Sequence, residues 1–236
     1  MVYENHGKRL MFDIKVYGVK KRLPMIEKTV AKLGLSWDDV IFDDRENGGE
    51  AYYTFKKALL SPSKSEITHR IILTDDAQPC TNFKEIVSQI IETHPDVIVS
   101  MFPWDVFMNY AVKQNPDLGT KTPYIRNMYW EIGIGFIIPV KYIPSYIEHA
   151  DYVCYNGRRM CEDGALFDWA RKNNIDIFNT NPVLIQHLGD ESILFGKSAP
   201  RRITKYYEEN PIANWTTDYV IRVKIEQKPR RNILYG

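Results

Sequence analysis

Short apolar runs alternate with amphipathic segments along the first hundred residues of the chain. The apolar runs predict four β-strands, at residues 11–19, 40–42, 70–73 and 96–101. Between these strands, apolar residues recur at spacings of three and four, which predicts helices at residues 23–33, 50–60 and 83–91. The alternation of strand and helix is typical of an open α/β sheet in which most strands are parallel.

Polar residues that favour turns follow three of the predicted strands. They are Tyr17 and Gly18, Asp43 and Asp44, and Asp75 and Asp76. In open α/β sheets, ligands bind beyond the carboxyl ends of the strands. We therefore expect these three strand ends to converge on one crevice.

The second half of the chain has a less regular pattern. It predicts a strand-like segment at residues 130–140, a helix at 162–173 and a strand at 175–178, followed by a loop that contains His187. The last forty residues carry nine Lys or Arg against four Asp or Glu. Because we find no internal repeat and no clear linker, we expect one domain over residues 1–236, in which residues 196–236 form a peripheral basic segment.

Composition narrows the class of protein. The chain has 236 residues, of which 44% are hydrophobic and 26% are charged, as in an ordinary globular protein. Its net charge of +1 does not by itself indicate a nucleic acid or a membrane surface as partner. Three cysteines without metal-ligand spacing predict reduced thiols. The sequence shows no signal peptide and no apolar stretch of membrane-spanning length, so we expect a cytoplasmic protein outside the membrane.

Two pairs of carboxylates are candidates for chemistry. Asp75 and Asp76 end an apolar strand, where we expect them near the surface; they suit a hard divalent cation, or they only begin a solvated loop. Glu162 and Asp163 open a helix, either as an acidic first turn favoured by the helix dipole or as the position of a general base. His187 is a candidate metal ligand, although a lone histidine is more often a packed or surface residue.

Several segments in order resemble glycosyltransferases of the GT-A fold. They are YGV, FDD, NGGEAYYTFKKAL, ILTDD, WEIGIGFIIP, CEDGALFDWA and NTNPVLIQHLGDES, and the resemblance to small bacteriophage-encoded glycosyltransferases is strongest. It covers roughly residues 12–194, most of the chain. It implies a GT-A-like, Rossmann-like sheet flanked by helices. Residues of about 12–101 would form the nucleotide-sugar-binding half, and residues of about 102–195 the acceptor and catalytic half.

The resemblance implies a metal site at the end of the third predicted strand. In that family, an acidic motif at a strand end holds a divalent metal on the diphosphate of a nucleotide sugar. Thr74-Asp75-Asp76 resembles this motif, with threonine in the first place. The match implies that Asp76 and His187 bind Mn²⁺ or Mg²⁺ and that Asp75 orients the ribose or the donor sugar.

A nucleoside pocket and a catalytic base are implied in the same way. Tyr17, Val19 and Asp44 would line the pocket for the nucleoside. Glu162 and Asp163 match a family motif that ends in Glu-Asp, whose aspartate is the catalytic base in members that invert configuration.

The expected activity is transfer of a hexose or pentose from a nucleotide-sugar donor, a UDP-sugar by expectation, to an acceptor hydroxyl. Phage glycosyltransferases of known role often modify hydroxymethylated pyrimidines in phage DNA, so the resemblance implies such a base as acceptor and the host cytoplasm as location. The basic C-terminal segment fits a polyanionic acceptor. A saccharide acceptor, a metal-dependent nuclease or phosphotransferase, and a non-catalytic nucleotide- or DNA-binding module stay open as alternatives.

Overall fold

A computed structural model describes most of the chain. The described residues are 3–5, 8–45, 51–63, 65–103, 105–116, 118, 123–126, 134–155, 161–188 and 204–222. The strands are β1 (Tyr3–Asn5), β2 (Lys8–Leu10), β3 (Phe12–Gly18), β4 (Val40–Phe42), β5 (His69–Thr74), β6 (Ala77–Pro79), β7 (Ile98–Ser100), β8 (Tyr124–Arg126), β9 (Gly135–Pro139), β10 (Ile177–Thr180), β11 (Ile185–His187) and β12 (Val220–Arg222). The helices are α1 (Leu23–Leu33), α2 (Ala51–Leu60), α3 (Phe83–Thr93), α4 (Asp105–Gln114), α5 (Ile143–Ala150) and α6 (Glu162–Lys172).

An eight-stranded sheet forms the centre of the protein, in the order β12-β8-β10-β7-β9-β5-β3-β4. Strand β3 runs parallel to both β4 and β5, and its register places Tyr17 beside Thr74. Strand β9 lies antiparallel between β5 and β7, and β8 lies antiparallel to β10. The predicted α/β class with a large, mostly parallel sheet is therefore confirmed. The antiparallel pairings of β8 and β9 make this sheet a mixed one.

The core lies on both faces of this sheet because side chains of a strand alternate between its faces. In β5, Ile71 and Leu73 pack in the cluster that contains α1 and α3, whereas Ile72 packs in the cluster that contains α2, α5 and α6. Most of the apolar positions that predicted the helices are buried in these clusters, such as Ile26, Val30 and Leu33 of α1, whereas Leu23 at the start of α1 is exposed. The sheet with its helices thus provides a firm support for the loops at the strand ends.

Parallel pairing explains why the predicted strand ends share one edge of the sheet. Strands β4, β3 and β5 are neighbours and point the same way, so their carboxyl ends lie side by side. A backbone hydrogen bond of 2.8 Å from Asp43 N to Gly18 O continues the pairing beyond β4. The three strand ends therefore lie at one edge of the sheet, and the expectation that they form one crevice stays a prediction.

The sequence prediction was less accurate in the second half. The predicted strand at 130–140 is confirmed only as β9, with residues 130–133 outside the described part, and the strand predicted at 175–178 lies at β10. Helix α5 was missed although Ile143, Tyr146, Ile147 and Ala150 have helical spacing and are buried. Helix α4 and the three-residue strands β1, β2, β6, β8, β11 and β12 were also missed, because strands this short carry little periodicity of their own.

The described part of the C-terminal segment is less peripheral than we expected. Trp215 is buried and stacks edge-on against Tyr124, and β12 pairs with β8 at one edge of the large sheet. All three cysteines have free thiols, as predicted. Among the described residues, no helix combines the length and the apolar character needed to cross a membrane.

Candidate active site

Asp75 and Asp76 form a buried turn between β5 and β6. They are only 6% and 5% exposed. Our expectation that strand-tip carboxylates lie near the surface was wrong, because neighbouring elements fold over the end of β5. Two adjacent carboxylates in such a place repel each other and lose hydration, so they need hydrogen-bond donors and a positive charge nearby.

Arg22 supplies the positive charge that faces this pair. Its Nη1 atom lies 2.9 Å from Oδ1 of Asp75 and also contacts Oδ2 of Asp76. Arg22 immediately precedes α1, and only 12% of its side chain is exposed. The sequence analysis missed this residue. The available signal was the run of three cations at positions 20–22 before a helix, where the helix dipole disfavours positive charge unless anions lie close by.

Uncharged groups complete the surroundings of the two aspartates. The backbone N–H of Val19 donates to Oδ2 of Asp75 at 2.9 Å. The hydroxyl of Thr74 donates to Oδ1 of Asp76 at 2.7 Å. Thr74 therefore orients the carboxylate of Asp76. Val19 contributes its backbone to the site.

His187 reaches Asp76 through a second, two-stranded sheet. Strand β11 pairs antiparallel with β6 and places His187 opposite Ala77, and the N–H of Leu188 donates to the carbonyl oxygen of Asp76 at 2.8 Å. This pairing holds His187 Nε2 at 3.1 Å from Oδ2 of Asp76. The other ring nitrogen, Nδ1, is buried and has no hydrogen-bond partner among the described residues. The histidine thus lies beside the carboxylate and retains unused bonding capacity.

The two aspartates differ in their acidity. Burial and the charge of Asp76 raise the pKa of Asp75 from its ordinary value. Burial also acts to raise the pKa of Asp76, but the contact with His187, the charge of Arg22 and the hydrogen bond from Thr74 outweigh it and bring that pKa to about 2. Asp76 is therefore the more firmly ionised member, as a metal ligand must be.

The arrangement of Asp76 and His187 fits a divalent cation. The 3.1 Å between Oδ2 and Nε2 is the distance of a hydrogen-bonded ion pair in this structure. It is also close to the distance of about 3 Å between two adjacent ligands of an octahedral ion, each at about 2.1 Å from the metal. Within the described ranges, no group of three or more His, Cys, Asp or Glu side chains is arranged to hold a metal. Two protein ligands are the usual number when phosphate oxygens and water complete the coordination of such an ion.

Tyr17 connects this site with the second carboxylate pair. Its side chain packs edge-on against Phe55, and its hydroxyl donates to Oε1 of Glu162 at 3.3 Å. Burial and the nearby charges of Glu162, Asp163 and Asp75 raise the pKa of Tyr17 well above its ordinary value, so its hydroxyl stays protonated. Asp75 and both members of the second carboxylate pair therefore lie within electrostatic reach of one side chain at the end of β3.

Glu162 and Asp163 begin α6 with different surroundings. Glu162 is 8% exposed, and its carbonyl oxygen accepts a hydrogen bond of 3.0 Å from the hydroxyl of Tyr146. Asp163 is half-buried, and its Oδ1 accepts from the backbone N–H of Gly164 at 2.7 Å. Asp163 is thus the more accessible carboxylate at a fixed helix start, the property that a general base needs.

The residues proposed for the nucleoside occupy different places. Tyr17 is 5% exposed and directed into the core, and Val19 meets Asp75 through its backbone. Asp44 is exposed beyond β4, where its Oδ2 pairs with Lys57 Nζ at 2.9 Å. The structure therefore brings Val19 together with Asp75 and Asp76, whereas Tyr17 lies with Glu162 and Asp44 with α2.

Comparisons with known proteins do not assign the chain to a family. A scan against models of protein families finds no match to the chain, and a search of curated proteins also finds none.

Proposed function

We propose that the protein is a metal-dependent glycosyltransferase of the GT-A type. The observation that carries the proposal is the buried contact between Asp76 and His187 at the carboxyl end of β5, whose geometry fits a divalent cation with two protein ligands. Support also comes from the second carboxylate pair, which lies near the same strand end through Tyr17. The resemblance in sequence implies metal binding by Asp76 and His187 and base catalysis by Asp163 of the second carboxylate pair.

The chain's own residues would perform distinct parts of the reaction. Asp76 and His187 would hold the cation, which supplies positive charge to the diphosphate of the departing nucleotide. Asp75, fixed by Val19 and Arg22, would orient the ribose or the donor sugar. Asp163 would accept the proton of the acceptor hydroxyl as its oxygen attacks the anomeric carbon of the sugar.

A hydroxymethylated pyrimidine in phage DNA is the acceptor that we propose. The proposal rests on the resemblance to phage enzymes and on the excess of positive charge in the last forty residues. Such a base would have to leave the stack of the duplex before its hydroxyl could reach Asp163.

Thermal stability in the presence of nucleotide sugars tests the proposed activity. A ligand at about 100 times its Kd stabilises the native state by about 2.7 kcal/mol, which for this chain length raises the Tm by roughly 5 °C or more. We expect that rise for one nucleotide sugar with Mn²⁺, and its loss when EDTA removes the metal. Absence of any metal-dependent rise across UDP-, GDP-, ADP- and TDP-sugars would contradict the proposal.

Turnover then separates the alternatives. A transferase given the stabilising donor releases free nucleoside diphosphate and labels either hydroxymethylated DNA or a saccharide, and the labelled product identifies the acceptor. A nuclease instead cuts DNA without consuming the donor. A non-catalytic binding module binds the donor but releases no nucleoside diphosphate with any acceptor.

A further inference from the structure

One guanidinium nitrogen contacts both aspartates of the candidate site. Arg22 Nη1 lies 2.9 Å from Oδ1 of Asp75 and contacts Oδ2 of Asp76. The same Oδ2 of Asp76 faces His187 at 3.1 Å. The oxygen that would bind the metal is therefore the oxygen that Arg22 contacts in this structure.

A metal ion and this guanidinium compete for that oxygen. An ion bound at about 2.1 Å from Oδ2 would lie within a few ångströms of Nη1. Asp76 is 5% exposed and Arg22 is largely buried, so water screens the repulsion between two such cations poorly. The charge of Arg22 therefore opposes metal binding at Asp76, and movement of the guanidinium away from Oδ2 favours it.

The position of Arg22 suggests where its charge would go. It stands at the N-terminal end of α1 and follows Lys20 and Lys21, which are both exposed. The positive end of a helix and a planar guanidinium both favour phosphate oxygens. Asp75 can keep its 2.9 Å contact with Arg22, so a small movement of the guanidinium would suffice.

We propose that Arg22 is the resident counter-ion of Asp75 and Asp76. When a metal and a diphosphate bind together, Arg22 releases Asp76 and then pairs with the diphosphate. This inference rests on the proposed function, because it assumes the metal site of Asp76 and His187. It predicts that the metal alone binds weakly and that the diphosphate strengthens metal binding. An empty donor site would thereby keep its two aspartates neutralised by Arg22.

Binding of Mn²⁺, followed through the electron paramagnetic resonance signal of the free ion, tests the proposal without any turnover. Arg22→Met should bind Mn²⁺ alone about tenfold or more tightly than the parent protein, because the competing charge is gone. Pyrophosphate itself chelates Mn²⁺ and removes the free-ion signal, so binding in its presence is measured by equilibrium dialysis. At the same concentration of free Mn²⁺, the protein compartment of the parent should then retain more Mn²⁺ than it does without pyrophosphate. The gain from pyrophosphate should be smaller in Arg22→Met.

Lys21→Met is the matched control, since it removes the same charge from an exposed neighbour. It should leave binding of Mn²⁺ alone within about twofold of the parent value. If Arg22→Met does not fold by circular dichroism, Arg22→Gln and Arg22→Lys replace it, and only the former should tighten binding of Mn²⁺ alone.

The outcomes distinguish this inference from the proposed function. If the parent binds Mn²⁺ with pyrophosphate but loss of the Arg22 charge leaves the affinity for Mn²⁺ alone unchanged, the metal site stands and the role of Arg22 is disproved. If neither the parent nor the variants bind Mn²⁺, with or without pyrophosphate, the metal site and the inference both fail.

Discussion

The side chain of Asp75 occupies the space that any side chain at Gly18 would need. A Cβ atom added at position 18 would overlap the Cβ, Cγ and Oδ2 atoms of Asp75. Gly18 ends β3, and its lack of a side chain allows the turn after β5 to close against β3. The glycine is thus required for a close approach.

Gly18→Ala should displace Asp75 from its contacts with Val19 and Arg22. Forcing one methyl group into a packed site typically costs about 1–3 kcal/mol of unfolding free energy, and we expect a loss of that order in urea titrations. The Mn²⁺-dependent rise in Tm with a nucleotide sugar should also shrink.

Gly34→Asn is the control for that substitution. Gly34 ends α1 at a φ of 56° with open space around it, and asparagine tolerates that left-handed conformation. If Gly18→Ala costs no more stability than Gly34→Asn, the close approach to Asp75 is not a constraint.

Asp76→Asn should abolish metal-dependent stabilisation by nucleotide sugars. The variant also loses charged contacts with Arg22 and His187, and because a hydrogen bond to a charged group contributes about 1.5–3 kcal/mol, we expect lower stability even without ligand. The informative quantity is therefore the shift in Tm that Mn²⁺ and donor produce in each protein. Asp38→Asn, at an exposed position, should keep the parental shift. A parental shift in Asp76→Asn would remove Asp76 from the metal site.

Asp163→Asn should abolish transfer while donor affinity remains. The amide oxygen can still accept the hydrogen bond from Gly164, but the side chain cannot take a proton from the acceptor. General-base catalysis contributes about 10²–10⁴-fold, so we expect a loss of that order in single-turnover transfer. Donor hydrolysis should be measured in the same samples, since water can replace the acceptor. Transfer at the parental rate would show that Asp163 is only an acidic helix start.

His69 should make the stability of the protein depend on pH. It is 2% exposed, its ring contacts Thr68 Oγ1 and Pro95 O at 2.9 Å, and Asp96 and Lys141 are the charges nearby. Burial lowers the pKa of His69 to about 4, against an unfolded value of 6.5.

The unfolded chain binds the proton more readily than the folded protein does. The unfolding free energy is therefore highest above pH 6.5, where His69 is neutral in both states, and it falls as the pH decreases toward 4. The shift corresponds to about 3 kcal/mol. Unfolding free energies from urea titrations between pH 4 and 7.5 should depend less steeply on pH for His69→Gln than for the parent. Equal slopes would contradict this account of His69.

The basic C-terminal tail should contribute to DNA binding. Arg230 and Arg231 lie outside the described residues, so this prediction depends on sequence charge alone. If they contact phosphates, replacing both with Gln should weaken DNA binding and reduce the salt slope by about 0.9 for each lost contact. Identical slopes of log K against log salt would show that the two arginines do not contact DNA.

The sequence by itself determined four strands and three helices before residue 102, namely β3, β4, β5, β7, α1, α2 and α3, and the position of the acidic pairs. Apolar periodicity is a local property, and the predicted strand at 40–42 and helix at 23–33 coincide with β4 and α1. The order of strands and helices also predicted that Asp75 and Asp76 would lie at a strand end.

Only the tertiary structure decided what surrounds those aspartates. Arg22 is separated from Asp75 by 53 residues and His187 arrives through the pairing of β11 with β6, so neither contact follows from a local pattern. The burial of Asp76 has the same origin, because it depends on elements distant in sequence that fold over the end of β5. Local spacing reports which face of an element is apolar, whereas the contacts of a charged side chain depend on which distant segments pack beside it.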